Sequence, residues 1–293
     1  MSQVKKINGK RYYTAKYFPE AAQARYESNR TDCHRPLKFA QVRNFLSYFV
    51  DHFKADKWSP DAVVGRARHM HEFHPNEMVC TKTLYRYIDE QLLEVRNIEL
   101  TEKTSRRQSG HKSVKHHRIL GRGIDERPAS VDDRKEFGHF EIDTVVGHRN
   151  GQESVVLTLI ERQSRFEIMR LIDSREADSV AHAMKAIKHE YGTIIKSITS
   201  DNGPEFATLT ASMADVAPVY FAHPYTSSER GTNEVHNRMI RHDLPKGISF
   251  DTISPAKVKQ VSERLNGLPR RVFNYETPAE RFTIAAGLVQ RRN

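Results

Sequence analysis

Cysteine is scarce in this sequence: Cys33 and Cys80 are the only two in 293 residues, and they lie far apart. Such a pair makes neither a disulfide framework nor a zinc knuckle. A reducing, cytoplasmic setting follows as the default expectation. Long apolar runs are lacking as well. Crossing a bilayer takes about 20 consecutive apolar residues, and no stretch approaches that, so no membrane partner is expected. The opening residues, MSQVKKINGKRYY, are basic but have no apolar stretch behind them, and so do not read as a signal peptide. Acidic residues are absent between Lys103 and Arg122, where seven Lys or Arg and several His occur. Histidines elsewhere, at His69, His71 and His74, have no cysteine or carboxylate arrangement that completes a zinc site, and Gly121-Arg122-Gly123 is too short for a phosphate loop.

What is present points to a basic globular protein. Hydrophobic residues make up 38% of the chain, enough to bury a sizeable core, and the length suits two or three units. Lys and Arg outnumber Asp and Glu by 47 to 37, for a pI near 9.5. Such a surplus favours a polyanionic partner, of which nucleic acid is the commonest. A basic enzyme with no nucleic-acid partner is the alternative.

Three zones differ in character. Residues 1–100 read as helical. From Pro36 to Phe53, Leu37, Ala40, Phe45, Phe49 and Phe53 fall close to helical spacing. A second helix opens at Trp58-Ser59-Pro60-Asp61, with Ser59 as N-cap and Pro60 at the first helical position. After a loop around His74-Pro75-Asn76, another helix starts at Thr81. This pair, at about 58–90, resembles a helix-turn-helix whose second helix presents Lys82 and Arg86 to DNA; a plain helical subdomain is the competing reading. Residues 101–137 form a basic linker, solvated or gripping phosphates. From residue 138 the period changes. Phe140, Ile142, Val145 and Val146 read as a strand with Glu141 and Asp143 on one face, Ser154 to Ile160 as a second, rich in Val and Leu, and Arg165 to Ile172 as a third. Asp173-Ser174-Arg175-Glu176 fits a capping box, opening a helix with Ala177, Val180, Ala181, Met184, Ile187 and Tyr191 on one stripe. Ile194 to Thr199 is a fourth strand, ending at Ser200-Asp201-Asn202-Gly203. The expected fold class is α/β, a mixed sheet flanked by helices over residues 138–285, preceded by the helical region.

Phosphoryl transfer on DNA asks for hard oxygen ligands that hold metal ions, in the two-ion case about 3.5–4 Å apart. Candidate carboxylates sit where such chemistry gathers, at strand ends. Asp143 lies on the first strand of the α/β zone, Asp201 at the end of the fourth, and Glu234 in Arg230-Gly231-Thr232-Asn233-Glu234. If 233–242 is helical, Glu234, Arg238 and Arg241 share a face. Spacing leaves alternatives open. Glu141 faces the same way as Asp143, Glu229 competes with Glu234, and each acid also suits a turn or a surface pair.

Several segments, in order, carry a resemblance to a known family. They are Arg127-Pro128; Gly138-His139-Phe140-Glu141-Ile142-Asp143; Leu159-Ile160-Glu161-Arg162-Gln163-Ser164-Arg165; Thr199-Ser200-Asp201-Asn202-Gly203-Pro204-Glu205-Phe206; Pro224-Tyr225 with Arg230-Gly231-Thr232-Asn233-Glu234; and Leu265-Asn266, Pro269-Arg270-Arg271 and Tyr275-Glu276-Thr277-Pro278-Ala279-Glu280-Arg281-Phe282. Together, over Trp58 to Phe282, they resemble insertion-sequence transposases of the IS-thirty family, DDE enzymes with a ribonuclease-H-like, retroviral-integrase-like catalytic core.

The resemblance implies that Asp143, Asp201 and Glu234 are the catalytic metal ligands for two Mg²⁺ ions, with Mn²⁺ as a substitute, and sets Arg230 and Arg241 at the site's edge. The family usually shows Asn-Glu-Asn-Thr-Asn at the glutamate. Here the segment is Asn233-Glu234-Val235-His236-Asn237, and His236 is expected to be a plain surface residue, with a DNA contact as the other reading. Family members usually carry a further N-terminal helix-turn-helix, which this chain is expected to lack. The implied reaction is hydrolysis of a strand at the element's end, then attack of the freed 3′-hydroxyl on a second phosphodiester. The implied partners are the terminal inverted repeats, target DNA and further copies of the chain in a homo-oligomer, in a bacterial, nucleoid-associated setting. A nuclease that cuts without joining, and a decayed transposase acting only as a DNA-binding protein, are the rival readings.

Overall fold

The computed structural model describes residues 2–15, 18–32, 38–100, 120–148, 153–223 and 231–290. They fall into two compact units, Met1–Arg43 and Asn44–Asn293. The basic segment 103–118 lies outside the described residues.

The first unit corrects the expectation of an all-helical N-terminal zone. It opens on a hairpin of β1 (Ser2–Ile7) and β2 (Lys10–Ala15), antiparallel with Ile7 opposite Lys10. Asn8 and Gly9, at φ 48° and 78°, make the turn. Two left-handed residues give a tight turn the twist that flanking strands need, and Asn-Gly adopts it readily. Helix α1 (Pro19–Asp32) follows.

The second unit begins with three short helices. The first, α2 (Arg43–Ala55), buries Phe45, Leu46 and Phe49. It starts later than the spacing suggested: Ala40 sits exposed in the preceding turn, and Leu37 lies outside the described residues. Next, α3 (Pro60–His69) is capped by Ser59, whose hydroxyl accepts from the Ala62 amide at 3.2 Å. Then α4 (Thr81–Asp89) buries Leu84, Tyr87 and Ile88 and exposes Lys82, Tyr85 and Arg86.

The sheet that follows carries the site. After the two-residue β3 (Arg122–Gly123) come β4 (His139–Val146), β5 (Val155–Glu161) and β6 (Glu167–Ile172), an antiparallel meander. Helix α5 (Ala177–Tyr191) crosses over to β7 (Ser197–Ser200), and the short α6 (Leu209–Ser212) leads to β8 (Val219–Phe221). The sheet order is β3-β8-β7-β4-β5-β6, with β7 parallel to β4 and β8 parallel to β7. This mixed sheet flanked by helices is the expected α/β, ribonuclease-H-like architecture. Two local details differ. The N-cap of α5 is Glu176, without a side-chain cap bond, so Asp173-Ser174-Arg175-Glu176 is not a capping box. The three-residue β8 is too short to leave a periodic signal.

Alternation along the strands sorts two hydrophobic layers. Phe140, Ile142, Leu157, Leu159, Ile168 and Ile198 pack against Val180, Met184 and Ile187 of α5. On the other face, Val145, Val156 and Met169 meet Ile240 of α7 (Gly231–Ile240) and Val258, Val261 and Leu265 of α8 (Pro255–Asn266). Helix α9 (Pro278–Gln290) seals the edge, where Phe282 stacks on Phe166 with ring centroids 4.0 Å apart. Among the described residues no helix is long and apolar enough to cross a membrane.

Candidate active site

The alternation that buries Phe140 and Ile142 under α5 turns Glu141 and Asp143 toward the α7 layer. Because β4 and β7 run parallel with Glu141 opposite Thr199, two more residues along the same register lead to Asp143 on one strand and Asp201 just beyond the other. Both aspartates are half-buried. Asp201 terminates its strand with an Asx-type turn, its Oδ1 accepting from the Gly203 amide at 2.9 Å. Asn202 beside it bridges two segments, accepting from the Leu120 amide and donating to the Ala222 carbonyl. Asp143 accepts at Oδ1 from the Thr144 amide and at Oδ2 from the side chain of Asn237, 2.9 and 2.8 Å away.

Glu141 has a different employment. It is fully buried, and its Oε1 accepts from Arg162 Nη1 at 2.9 Å. Its Oε2 accepts from the backbone amide of Asn233 in the first turn of α7, at 3.2 Å. That amide has no partner within its own helix, and a carboxylate suits the positive end of the helix dipole. Arg162 also donates to Asp132 at 3.1 Å, and Asp132 takes a second guanidinium, that of Arg127. Arg127 in turn donates to the Thr199 hydroxyl at 2.9 Å. Burial pushes the Arg162 guanidinium below its ordinary value, while Glu141 pulls it back up.

Helix α7 is held in place by several side chains. The Asn233 amide group donates to the Ile142 carbonyl, and Asn237 reaches Asp143. Glu234 and Arg238 are exposed on its outer side. Arg241, after the helix, turns inward to the carbonyls of Val146, at 2.7 Å, and Leu244; burial lowers its pKa. His236 is not the surface residue expected from sequence. It is 1% exposed and its Nδ1 lies 2.9 Å from Oε2 of the buried Glu167 on β6. The pattern explains this, since His236 and Ile240 lie one turn apart and both face the sheet. Arg230 and Glu229 lie outside the described residues.

As a cation site, the two aspartates offer hard oxygens at the ends of neighbouring strands, and Asn237, bonded to Asp143, has a buried Oδ1 without a hydrogen-bond partner among the described residues. That donor chemistry fits a divalent hard cation. Glu234 does not close a third side: among the described residues no three His, Cys, Asp or Glu gather as a metal-holding group. Of the expected DNA contacts, Lys82 is exposed on α4, and Arg86 is exposed but ion-paired to Glu90 at 2.7 Å. Asn237, Arg127 and Arg162 are site residues that spacing did not single out. Arg127 and Arg162 did stand inside the family-like segments.

The integrase core domain family matches residues 133–227, a range that holds β4 to β8 and both aspartates. Integrase-core DDE domains generally use divalent metal ions. The chain is 33% identical to a probable transposase for insertion-like sequence element IS1161 of Streptococcus salivarius, over 97% of this chain and 82% of that protein. It is 34% identical to the transposase for insertion sequence element IS4351 of Bacteroides fragilis, over 77% of this chain and 69% of that one. It is 27% identical to transposase InsI for insertion sequence element IS30C of Escherichia coli K12, over 95% and 73%. With the integrase-type sheet, the strand-end aspartates and relatives matched over most of their length, the chain belongs to the IS30 family of insertion-sequence transposases, enzymes of the DDE type.

Proposed function

We propose that Asp143, Asp201 and Glu234 are the catalytic carboxylates with which this transposase cuts and joins DNA. The observation that carries the reading is the shared register of β4 and β7, which brings Asp143 and Asp201 to neighbouring strand ends while α7, the helix of Glu234, is bonded to Asp143 through Asn237. Divalent metal, here Mg²⁺ with Mn²⁺ as substitute, supplies charge stabilisation of the attacking and leaving oxygens when bound. The two aspartates would hold it from the sheet, and Glu234 would be the third ligand, from α7. The Asx turn at Asp201 and the Asn237 bond at Asp143 hold both carboxylates in place before substrate binds, which limits the reorganisation needed at the reacting phosphate.

Transposase relatives and the basic charge support DNA as the partner. Terminal inverted repeats and target DNA are the proposed substrates, and synapsis of two ends calls for a homo-oligomer in a nucleoid-associated setting. Lys82 and Arg86 on α4 are proposed contacts of a helix-turn-helix-type unit over about 58–90. Arg230 and Arg238 are proposed phosphate contacts beside Glu234, with Arg241 a lesser one because its guanidinium already bonds two carbonyls. The test is Asp201→Ala on a substrate carrying an element end in Mg²⁺. Loss of cleavage and strand transfer with DNA binding retained is the expected result; cleavage at the wild-type rate would sink the assignment.

A further inference from the structure

The buried charges behind the aspartates are costly to place there. Withdrawing ions from water costs several kcal/mol each unless partners compensate. Three such groups, Arg127, Arg162 and Glu141, nevertheless form one chain, with Arg127 and Arg162 joined through the exposed Asp132. Its ends reach the elements that carry the three carboxylates. Glu141 lies two residues before Asp143 on β4. Thr199, bonded by Arg127, lies two residues before Asp201 on β7. Asn233, whose amide donates to Glu141, immediately precedes Glu234 on α7.

A hydrophobic contact fills space but leaves a helix free to slide or rotate by a fraction of a turn. A buried carboxylate bonded on one oxygen by a guanidinium and on the other by a helix amide fixes both position and rotation. We propose that Glu141 and Arg162 are positioning residues for catalysis: together they seat the N-terminus of α7 on β4 and so set the register of Glu234 against Asp143. The inference rests on the reading of Asp143, Asp201 and Glu234 given above. It also gives the second acid of the Glu141-Ile142-Asp143 segment a role, since the two carboxylates share a strand face but not a function. Among the described residues Arg162 is the one charged donor to Glu141, and Arg127 extends the same restraint to β7.

The direct test is Glu141→Gln in the full chain, read three ways. Amide hydrogen exchange over α7 is expected to speed up at least tenfold, because the Asn233 amide loses its charged acceptor. Single-turnover cleavage of an end-bearing duplex, at saturating DNA, is expected to fall at least tenfold. The Mn²⁺ concentration giving half-maximal cleavage is expected to rise several-fold, with duplex affinity in a gel shift within about twofold of wild type. A merely structural role would not move the Mn²⁺ midpoint. If Glu141→Gln does not fold, Arg162→Lys keeps the charge, loses the fork, and is expected to move the same readouts in the same direction. Wild-type exchange, rate and Mn²⁺ midpoint in a folded variant would overturn the proposal. So would a loss of rate and DNA affinity in parallel with a lowered melting temperature and an unchanged Mn²⁺ midpoint. Asp201→Asn run alongside separates the two claims: if it is inactive while Glu141→Gln is unimpaired, only the positioning role fails, and if it cleaves normally, the carboxylate assignment itself fails.

Discussion

The side-chain amide of Asn237 donates to Oδ2 of Asp143 at 2.8 Å, so the helix that bears Glu234 is tied to the first aspartate one turn further along. Hydrogen bonds to charged groups contribute about 1.5–3 kcal/mol, and 1.4 kcal/mol is about tenfold in a rate. Asn237→Ala is therefore expected to slow single-turnover cleavage by about tenfold or more while leaving duplex affinity unchanged. A wild-type rate in that variant would show that the bond does not serve the reaction.

His236 and Glu167 form a second tie between α7 and the sheet, both buried. Removing the imidazole strands a buried carboxylate, at a cost of about 1–3 kcal/mol or more. His236→Ala should lower the urea midpoint clearly. His236→Gln, which can still donate to Glu167, should recover part of the loss. Equal midpoints for the two variants would argue against the hydrogen bond as the cause.

Gly65 on α3 faces the ring of Tyr275, and a Cβ there would stand 2.2 Å from the ring carbons. Tyr275 and Asn274 both hold left-handed backbone, at φ 66° and 52°, and the Tyr275 hydroxyl reaches Asp61 at 3.1 Å. Glycine to alanine inside an exposed helix ordinarily stabilises by about 1 kcal/mol. Here the opposite sign is expected, because overpacking costs about 1–3 kcal/mol. Denaturant unfolding of Gly65→Ala measures it, and a gain in stability would contradict the contact.

Arg66 beside it grips Glu280 of α9 with both terminal guanidinium nitrogens, Nη1 and Nη2, at 2.9 and 2.5 Å. That hydrogen bond is the main cause holding the Glu280 carboxyl at about 2 instead of 4.5. A carboxyl lowered in the folded state stabilises it above the unfolded value, and the contribution is lost as pH falls through the folded one. The stability gap between wild type and Glu280→Gln should therefore be full at pH 6, shrink from about pH 4.5 downward, and close near pH 2. Urea midpoints across that range check it; a gap that is constant with pH would rule the ion pair out as its source.

Local periodicity carried much of the fold. Strands β4, β5 and β6 were readable as short runs rich in Val, Leu and Ile, and α5 as a helix with one apolar stripe. Asp201 was readable because Ser200-Asp201-Asn202-Gly203 ends a strand in turn-forming residues. The hairpin at the start was equally local, in Asn8-Gly9, but lysines and tyrosines around it masked the alternation.

The choice between Glu141 and Asp143 was of another kind. Both point from β4 to the same face, so no spacing separates them, and only resemblance to known transposases favoured Asp143. Burial separates them physically, because Glu141 meets Arg162 and Asn233, which are distant in sequence, while Asp143 stays half-open beside Asn237. The same holds for His236, whose partner Glu167 lies on another element, and for Arg241, turned to carbonyls of β4 and a following turn. Sequence by itself determined which residue types stand at strand ends and helix turns, since that follows from backbone period and turn chemistry. Only the tertiary structure decided which acid is buried against a guanidinium and a helix amide and which stays half-buried, because a carboxylate's surroundings depend on the groups that long-range packing brings to it.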